Sequence, residues 1–408
     1  MMKSSLIRIN LIFTLLVLFI PNLTSAEAES KTFIKEYTYQ VSDFDSKISS
    51  RTIALEQVKR LLLEEVGTYL ISETNVIDFQ LTKDKITTLT AGIVQAEILT
   101  EKWNGKTYYL KAKMSIAPQE VTKFLEGLRE NSQKNRELEE TKRKVDEALN
   151  KIKQLQDERV DGQRLGSKQN EYSKAVAELK AKEWIEKGVA FMKEDNYESG
   201  LSAFNNAVDI DPTNSWAYIN KGWALNTLGD YYQALKEFNR ASDIDPKNPW
   251  IYVNRGVSYN FLGNYQQGLL DEEKAISLDA TISWAYIDRG WAYTGLGNFN
   301  QALADLNKAA QLDPNNPHVY HMRAWVYNGL GNKRQTLEDF DTSLNLAPNN
   351  SWTHWNIATY YALSGEKEKS ISALGKAIRI NGTLRKKAKT DKNFQSLWND
   401  LDFRKLVE

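Results

Sequence analysis

Ser283–Asn316 reads SWAYIDRGWAYTGLGNFNQALADLNKAAQLDPNN, and its punctuation returns every 34 residues along the chain. Its Pro314 belongs to a column of Pro212, Pro246, Ala280, Pro314 and Pro348, and its Gly297 to one of Gly229, Gly263, Gly297, Gly331 and Gly365. In the same frame run Gly188, Gly222, Gly256, Gly290 and Ala324, then Ala207, Ala241, Ala275, Ala309, Ser343 and Ala377. Columns held in phase mark repeated units of two antiparallel helices, each burying its apolar face against its neighbours rather than in a globular core. Six units follow: 181–214, 215–248, 249–282, 283–316, 317–350 and 351–384. The small residues near the eighth position of each unit leave room for close helix contact.

These units resemble tetratricopeptide repeats. The second carries the resemblance on Tyr218, Gly222, Gly229, Tyr231, Ala234, Phe238, Ala241 and Pro246, and the fourth on Tyr286, Gly290, Tyr293, Gly297, Phe299, Ala302, Ala309 and Pro314. The first departs with Asp195 at the inter-helix glycine and Gly200 at an alanine position, the third with Glu272 at the aromatic position and Ala280 for proline, and the sixth with Gly382. The resemblance implies a mainly α protein with a right-handed solenoid of six helix pairs over 167–384, led by an extra helical segment. A tail over 385–408, with Asp391, Phe394, Leu397, Trp398, Leu401 and Phe403, is expected to cap the last repeat, because a solenoid end exposes an apolar face.

Working outward, 118–166 is densely charged, with Leu125, Leu128, Leu138, Val145, Leu149, Ile152 and Leu155 as its sparse apolar positions. It reads as a helical connector or short coiled coil, through which weak self-association would run, with a break before the next helix marked by Asp161-Gly162 and Leu165-Gly166. Residues 31–117 read as a small α/β domain: strands over Thr32–Gln40, Ile86–Glu101 and Lys106–Ile116, a turn at Trp103-Asn104-Gly105-Lys106, and a helix from Arg51 to Ile71. This segment loosely resembles small domains of outer-membrane-associated and flagellar proteins on Arg51, Ala54, Leu61 to Gly67, Leu89 to Gly92 and Tyr108 to Met114. In those domains one helix packs on an antiparallel sheet. Met1 to about Ala26, with Lys3 and Arg8 before an apolar run from Leu11 to Ile20, has the grammar of a secretory signal cleaved after Ala26 or Ala28. Export to the periplasm or outer envelope is the expectation, with an uncleaved anchor as the alternative.

The 408 residues hold 53 Lys+Arg and 53 Asp+Glu, so phosphate-rich nucleic acid is not an expected partner. The chain has no cysteine, which excludes disulfides and thiolate metal sites. His318, His321 and His354 lack the flanking carboxylates of a metal motif, and neither a phosphate loop nor a nucleophile elbow is present. No catalytic residue, metal or cofactor is expected.

In the repeat family the first helix of each unit lines a concave groove through its second, fifth, ninth, twelfth and thirteenth positions. That resemblance places Trp223, Trp291 and Trp325 (ninth), Trp355 (fifth) and Asn226, Asn260 and Asn328 (twelfth) as partner-binding candidates. Trp216, Trp250, Trp284 and Trp352 (second) are secondary ones, with inter-unit packing as their other reading. Ile219, Val253, Ile287 and Trp355 replace the cations of the family's acidic-peptide clamp, so a less charged partner is expected. Lys221/Glu237, Arg255/Asp271, Arg289/Asp305 and Arg323/Asp339, always sixteen apart, read as ion pairs between helices. The function expected is a non-enzymatic adaptor or scaffold that binds a protein or peptide within an envelope assembly. The alternative is a carbohydrate or cell-wall binder on the same tryptophans, and an enzyme with a site in the amino-terminal domain ranks behind both.

Overall fold

A computed structural model describes the protein over residues 30–72, 96–116, 132–157 and 165–408. The signal reading, the 86–95 part of the expected middle strand and the break at Asp161-Gly162 lie outside these residues. Among the described residues no helix is long and apolar enough to cross a membrane.

The amino-terminal unit is a three-stranded antiparallel sheet, β1 (Lys31–Gln40), β2 (Glu97–Trp103) and β3 (Thr107–Ile116), in the order β1-β3-β2. Alternation along β3 sends Tyr108, Leu110, Ala112, Met114 and Ile116 into the core. The β2–β3 turn closes where Asn104 Oδ1 accepts from the amides of Lys106 and Thr107, with Gly105 at φ 84°. Helix α1 (Lys47–Ser72) lays Ile53, Ala54, Val58, Leu62, Val66 and Leu70 on the sheet, the one-helix-on-sheet arrangement expected.

Helix α2 (Ser132–Asp157) and the long helix α3 (Leu165–Lys193) form a hairpin packed on this unit. Here the connector reading needs correction. Leu149, Ile152 and Leu155, with Ala148, are buried in one core with α1, β3 and α3, and Val145 packs against it, so this part of the stripe is covered within the chain. Four charges reinforce the junction: Glu56 lies between Lys59 at 3.0 Å and Lys182 at 2.8 Å, and Lys59 also meets Glu186 at 2.9 Å. Burial pushes the Glu56 carboxyl up, but the two ammoniums outweigh it and hold it at about 2.

The second half of α3 pairs with α4 (Tyr197–Ile210) to begin the solenoid. The pairs that follow are α5 (Ser215–Leu228) with α6 (Tyr231–Ile244), α7 (Pro249–Phe261) with α8 (Tyr265–Leu278), and α9 (Ser283–Gly295) with α10 (Phe299–Leu312). Then come α11 (Pro317–Gly329) with α12 (Lys333–Leu346) and α13 (Ser351–Leu363) with α14 (Lys367–Ile380). Asn214, Asn248, Asn316 and Asn350 cap first helices by accepting from amides two or three residues on. The turn column adopts the left-handed region, from φ 73° at Gly331 to 86° at Gly229, and Asp195 alone makes the same turn without glycine, at φ 56°. At the eighth position, a Cβ on Gly222 would stand 2.6 Å from the Phe238 ring. The core ring therefore needs the glycine beneath it.

Unit three breaks the pattern. Where Phe204, Phe238, Leu306, Phe340 and Leu374 fill the core, Glu272 is fully buried with no hydrogen-bond partner for either carboxylate oxygen. Burial, with Asp288 nearby, raises its pKa well above the carboxyl range, and burial lifts Asp288 to about 8.

The tail folds as α15 (Leu384–Ala388), a 3-10 turn (Lys392–Leu397) and α16 (Leu401–Val407). Phe394, Leu397, Phe403 and Val407 close over Leu374, Ala377 and Ile378, which is the expected cap. Asp400 caps α16 and pairs with Lys367.

Candidate binding groove

The first helices of successive units pack directly on one another, α5 on α7, α7 on α9, α9 on α11 and α11 on α13. They therefore form the inner wall of the array. Each second helix, α6 to α12, meets its own partner through the predicted ladder of ion pairs. Arg255, Arg289 and Arg323 make two parallel bonds of 2.6–2.8 Å to Asp271, Asp305 and Asp339, and Lys221 sits 3.0 Å from Glu237. Arg255 and Arg323 also donate to Asn239 and Asn307 of the preceding unit, so the ladder ties units together as well as closing each one.

The wall divides the candidate residues into groups. Trp223 is 39% exposed, and Trp291 and Trp325 are half-buried. Trp291 stands edge-on to Phe261 at 4.8 Å, and Phe261 stacks on Tyr231 at 4.8 Å, which gives a continuous aromatic track across three units. Trp355 is 4% exposed and meets the cap's Phe394 edge-on at 5.1 Å. The asparagines have other work: Asn226 donates to the Asn254 carbonyl and accepts from Ser258, and Asn260 donates to the Asp288 carbonyl, each bond crossing to the next unit. Asn328 is half-buried on α11.

In the second-position row, Trp216 is buried and donates from Nε1 to Glu140 of α2 at 2.9 Å, which links the amino-terminal hairpin to the solenoid. Trp250 is 2% exposed in the inter-unit core. Trp284 is half-buried against the His318 ring at 5.0 Å, and Trp352 is half-buried 6.4 Å from Trp355. The fifth-position residues Ile219, Val253 and Ile287 are buried and present no cation.

The histidines are structural in their contacts. His354 Nε2 meets the Pro348 carbonyl at 3.0 Å, the role that Tyr252 and Tyr320 play at Pro246 and Pro314. His321 Nδ1 lies 3.3 Å from the buried Thr353 hydroxyl. Burial holds His318 down at about 4, and burial beside His318 holds His321 well below the usual imidazole range. Among the described residues no group of three or more His, Cys, Asp or Glu could hold a metal ion.

Two groove elements escaped the sequence reading. Phe261 occupies a thirteenth position, one of the family's groove positions, and a scan of that column for aromatics would have found it. Lys387 of α15 stands 4.6 Å from the Trp352 ring, 5.5 Å from Trp355 and 6.0 Å from Phe261. Nothing in the repeat frame signals that the tail returns to the third unit.

Three stretches match known repeat families: residues 222–263 match TPR repeat, and 283–316 and 203–236 each match tetratricopeptide repeat. The chain carries tetratricopeptide repeats. Similar solved structures include a thermophilic TPR protein of Thermus thermophilus, at 20% identity over 45% of this chain and 100% of that one, TM-score 0.42. Pseudomonas aeruginosa pilF is 16% identical over 54% of this chain and 97% of its own, TM-score 0.40. YrrB, described as a TPR protein with an unusual peptide-binding site, is 22% identical over 44% and 93%, TM-score 0.31. None of the curated proteins matches the chain.

Proposed function

We propose that this protein is an exported, non-enzymatic adaptor that holds a segment of a partner protein against the inner wall of its repeat array, within the bacterial envelope. The observation that carries the reading is the aromatic surface of the wall formed by the first helices: Trp223 and Phe261 are exposed there, with Trp291 and Trp325 half-buried on the same helices. Exposed aromatic area of this kind marks contact surfaces, where burying it supplies most of the binding free energy. The amino-terminal domain, joined to the array by the Glu56 cluster and the Trp216–Glu140 bond, serves as a fixed base that orients the groove in a larger assembly. Export rests on the signal-like grammar of residues 1–26. The carbohydrate alternative is weaker, because the Asn226 and Asn260 amides that would meet sugar hydroxyls are bonded to neighbouring units.

Crosslinking mass spectrometry of the protein in its cell envelope tests this reading. Trp223→Ala/Trp291→Ala/Trp325→Ala, with its circular dichroism unchanged, is expected to lose one dominant crosslinked protein. An unchanged crosslink set would overturn the groove assignment, and tryptophan fluorescence that responds to soluble glycans alone would favour the carbohydrate reading.

A further inference from the structure

The first helices α5, α7, α9, α11 and α13 carry a single carboxylate, Asp288, which is buried. Their Lys221, Arg255, Arg289 and Arg323 are each paired with an acid on the second helix of the same unit. From α5 to α13 the inner wall therefore offers a partner neither an open anion nor an unpaired lysine or arginine. What it does offer is the negative faces of aromatic rings, which attract cations.

One cation is already there. Lys387 Nζ lies within 4.6–6.0 Å of three rings, Trp352, Trp355 and Phe261. Phe261 belongs to the third unit and the two tryptophans to the sixth, so the lysine bridges the wall. Its side chain stays exposed, yet the surrounding rings strip enough water to lower its pKa from the ordinary lysine value. Lys387 is not what holds the tail down. Leu384 and Ala388 of the same short helix are buried, Phe394, Leu397 and Phe403 fill the core, and Lys367 clasps Asp400. The ammonium can leave while the cap stays in place.

We propose that Phe261, Trp352 and Trp355 form a cation-recognition site, filled in cis by Lys387, which takes a lysine- or arginine-bearing segment of the partner when that side chain displaces Lys387. This proposal rests on the groove reading above and names the chemistry of its ligand. The tail gives the template: Leu384-Arg385-Lys386-Lys387-Ala388-Lys389 sets basic residues around two apolar anchors, Leu384 and Ala388.

The test titrates the full chain with a synthetic peptide of sequence TLRKKAKTD, copied from residues 383–391, and with its counterpart in which glutamine replaces every lysine and arginine. Binding is followed by tryptophan fluorescence and calorimetry. Lys387→Ala is expected to bind the basic peptide about 10-fold more tightly than the parent, because the internal competitor is gone, and Phe261→Leu in that background to lose about 10-fold. The glutamine peptide is expected to bind at least about 10-fold more weakly than the basic one. Equal binding of the two peptides, or no gain on Lys387→Ala, overturns the proposal. If neither peptide binds while the triple tryptophan variant still loses its crosslinked partner, the cation site is wrong and the groove reading stands. If the basic peptide binds as described while the crosslink set is unchanged, the cation site stands and the groove reading fails. A dimer abolished by Lys387→Ala would make a second copy's tail the occupant and overturn the assignment to a different partner.

Discussion

Glu272→Leu should stabilise the array, and more so as pH rises. Leucine already fills the equivalent place in unit four, where a Cβ on Gly290 would lie 3.0 Å from Leu306 Cγ, and Gly256 leaves the same opening beneath Glu272. The substitution removes two buried oxygens without partners, and leaving such a group unpaired costs about 1–3 kcal/mol. A protonation term adds to this. The folded protein keeps Glu272 protonated above the ordinary carboxyl pKa, because burial raises it well above that value, whereas the unfolded chain releases the proton. The folded state therefore binds more protons in this window, and stability falls as pH rises, by about 1.4 kcal/mol per pH unit for one group. Asp288, lifted to about 8, contributes a similar slope in both proteins, so the difference between them isolates Glu272. Hydrogen exchange of peptides spanning 249–295, with urea melts at pH 5, 6 and 7, is the assay, because repeat arrays open locally rather than all at once. Parallel pH profiles for the two proteins, or a leucine variant less stable at pH 7, would refute the reasoning and mean that Glu272 is ionised and partnered.

Glu56→Gln should cost about 1–3 kcal/mol, since Lys59 and Lys182 lose one of the two carboxylates they share and keep only Glu186. The expected readout is a separate low-temperature transition in calorimetry, with protease cleavage in residues 30–116. His318 and His321 should give a slope opposite to that of Glu272. Their folded pKa values lie below the ordinary one, to about 4 for His318, so the unfolded chain takes up protons first and stability falls as pH drops below about 6.5. Lower protection of α11–α13 at pH 5 than at pH 7, with exchange taken relative to the intrinsic rate at each pH, and a smaller difference in His321→Leu, checks this. Asp195→Gly should stabilise the first unit by about 1 kcal/mol, because it relieves the only non-glycine positive φ among the described residues. A lower melting temperature would show that the Asp195–Tyr197 hydrogen bond outweighs the strain.

The repeat frame was legible because its signals are local. A left-handed turn at Gly297, a Gly290 beneath a core side chain and an Arg289–Asp305 pair recur at fixed spacing, and each follows from backbone geometry or charge within one unit. The amino-terminal sheet was legible for the same reason, from the period-two run Tyr108 to Ile116 and the Asn104-Gly105 turn. What the sequence hid depends on which neighbour arrives. Asn226 and Asn260 looked like ligand-ready amides, and only the stacking of units shows that the next backbone takes their hydrogen bonds. Val145, Leu149 and Ile152 looked like half a coiled coil, because a stripe on one helix does not say whether its cover comes from the same chain or another. Trp355 looked open because the cap's Phe394 belongs to no column.

Under the proposed function, these hidden features set how the groove discriminates. The repeat ladder neutralises each cation of the inner wall with a fixed acid, and stacking directs the Asn226 and Asn260 amides to neighbouring backbones. Selection then falls to shape and to ring faces, which are also what the tail engages through Lys387. A ligand for such a wall competes with the chain's own carboxyl-terminal segment, so its apparent affinity is reduced by the fraction of molecules in which Lys387 is in place. Tail and groove are coupled through that lysine. A second event that pulled on the cap, such as loss of the Lys367–Asp400 contact, would raise affinity at rings that it never touches.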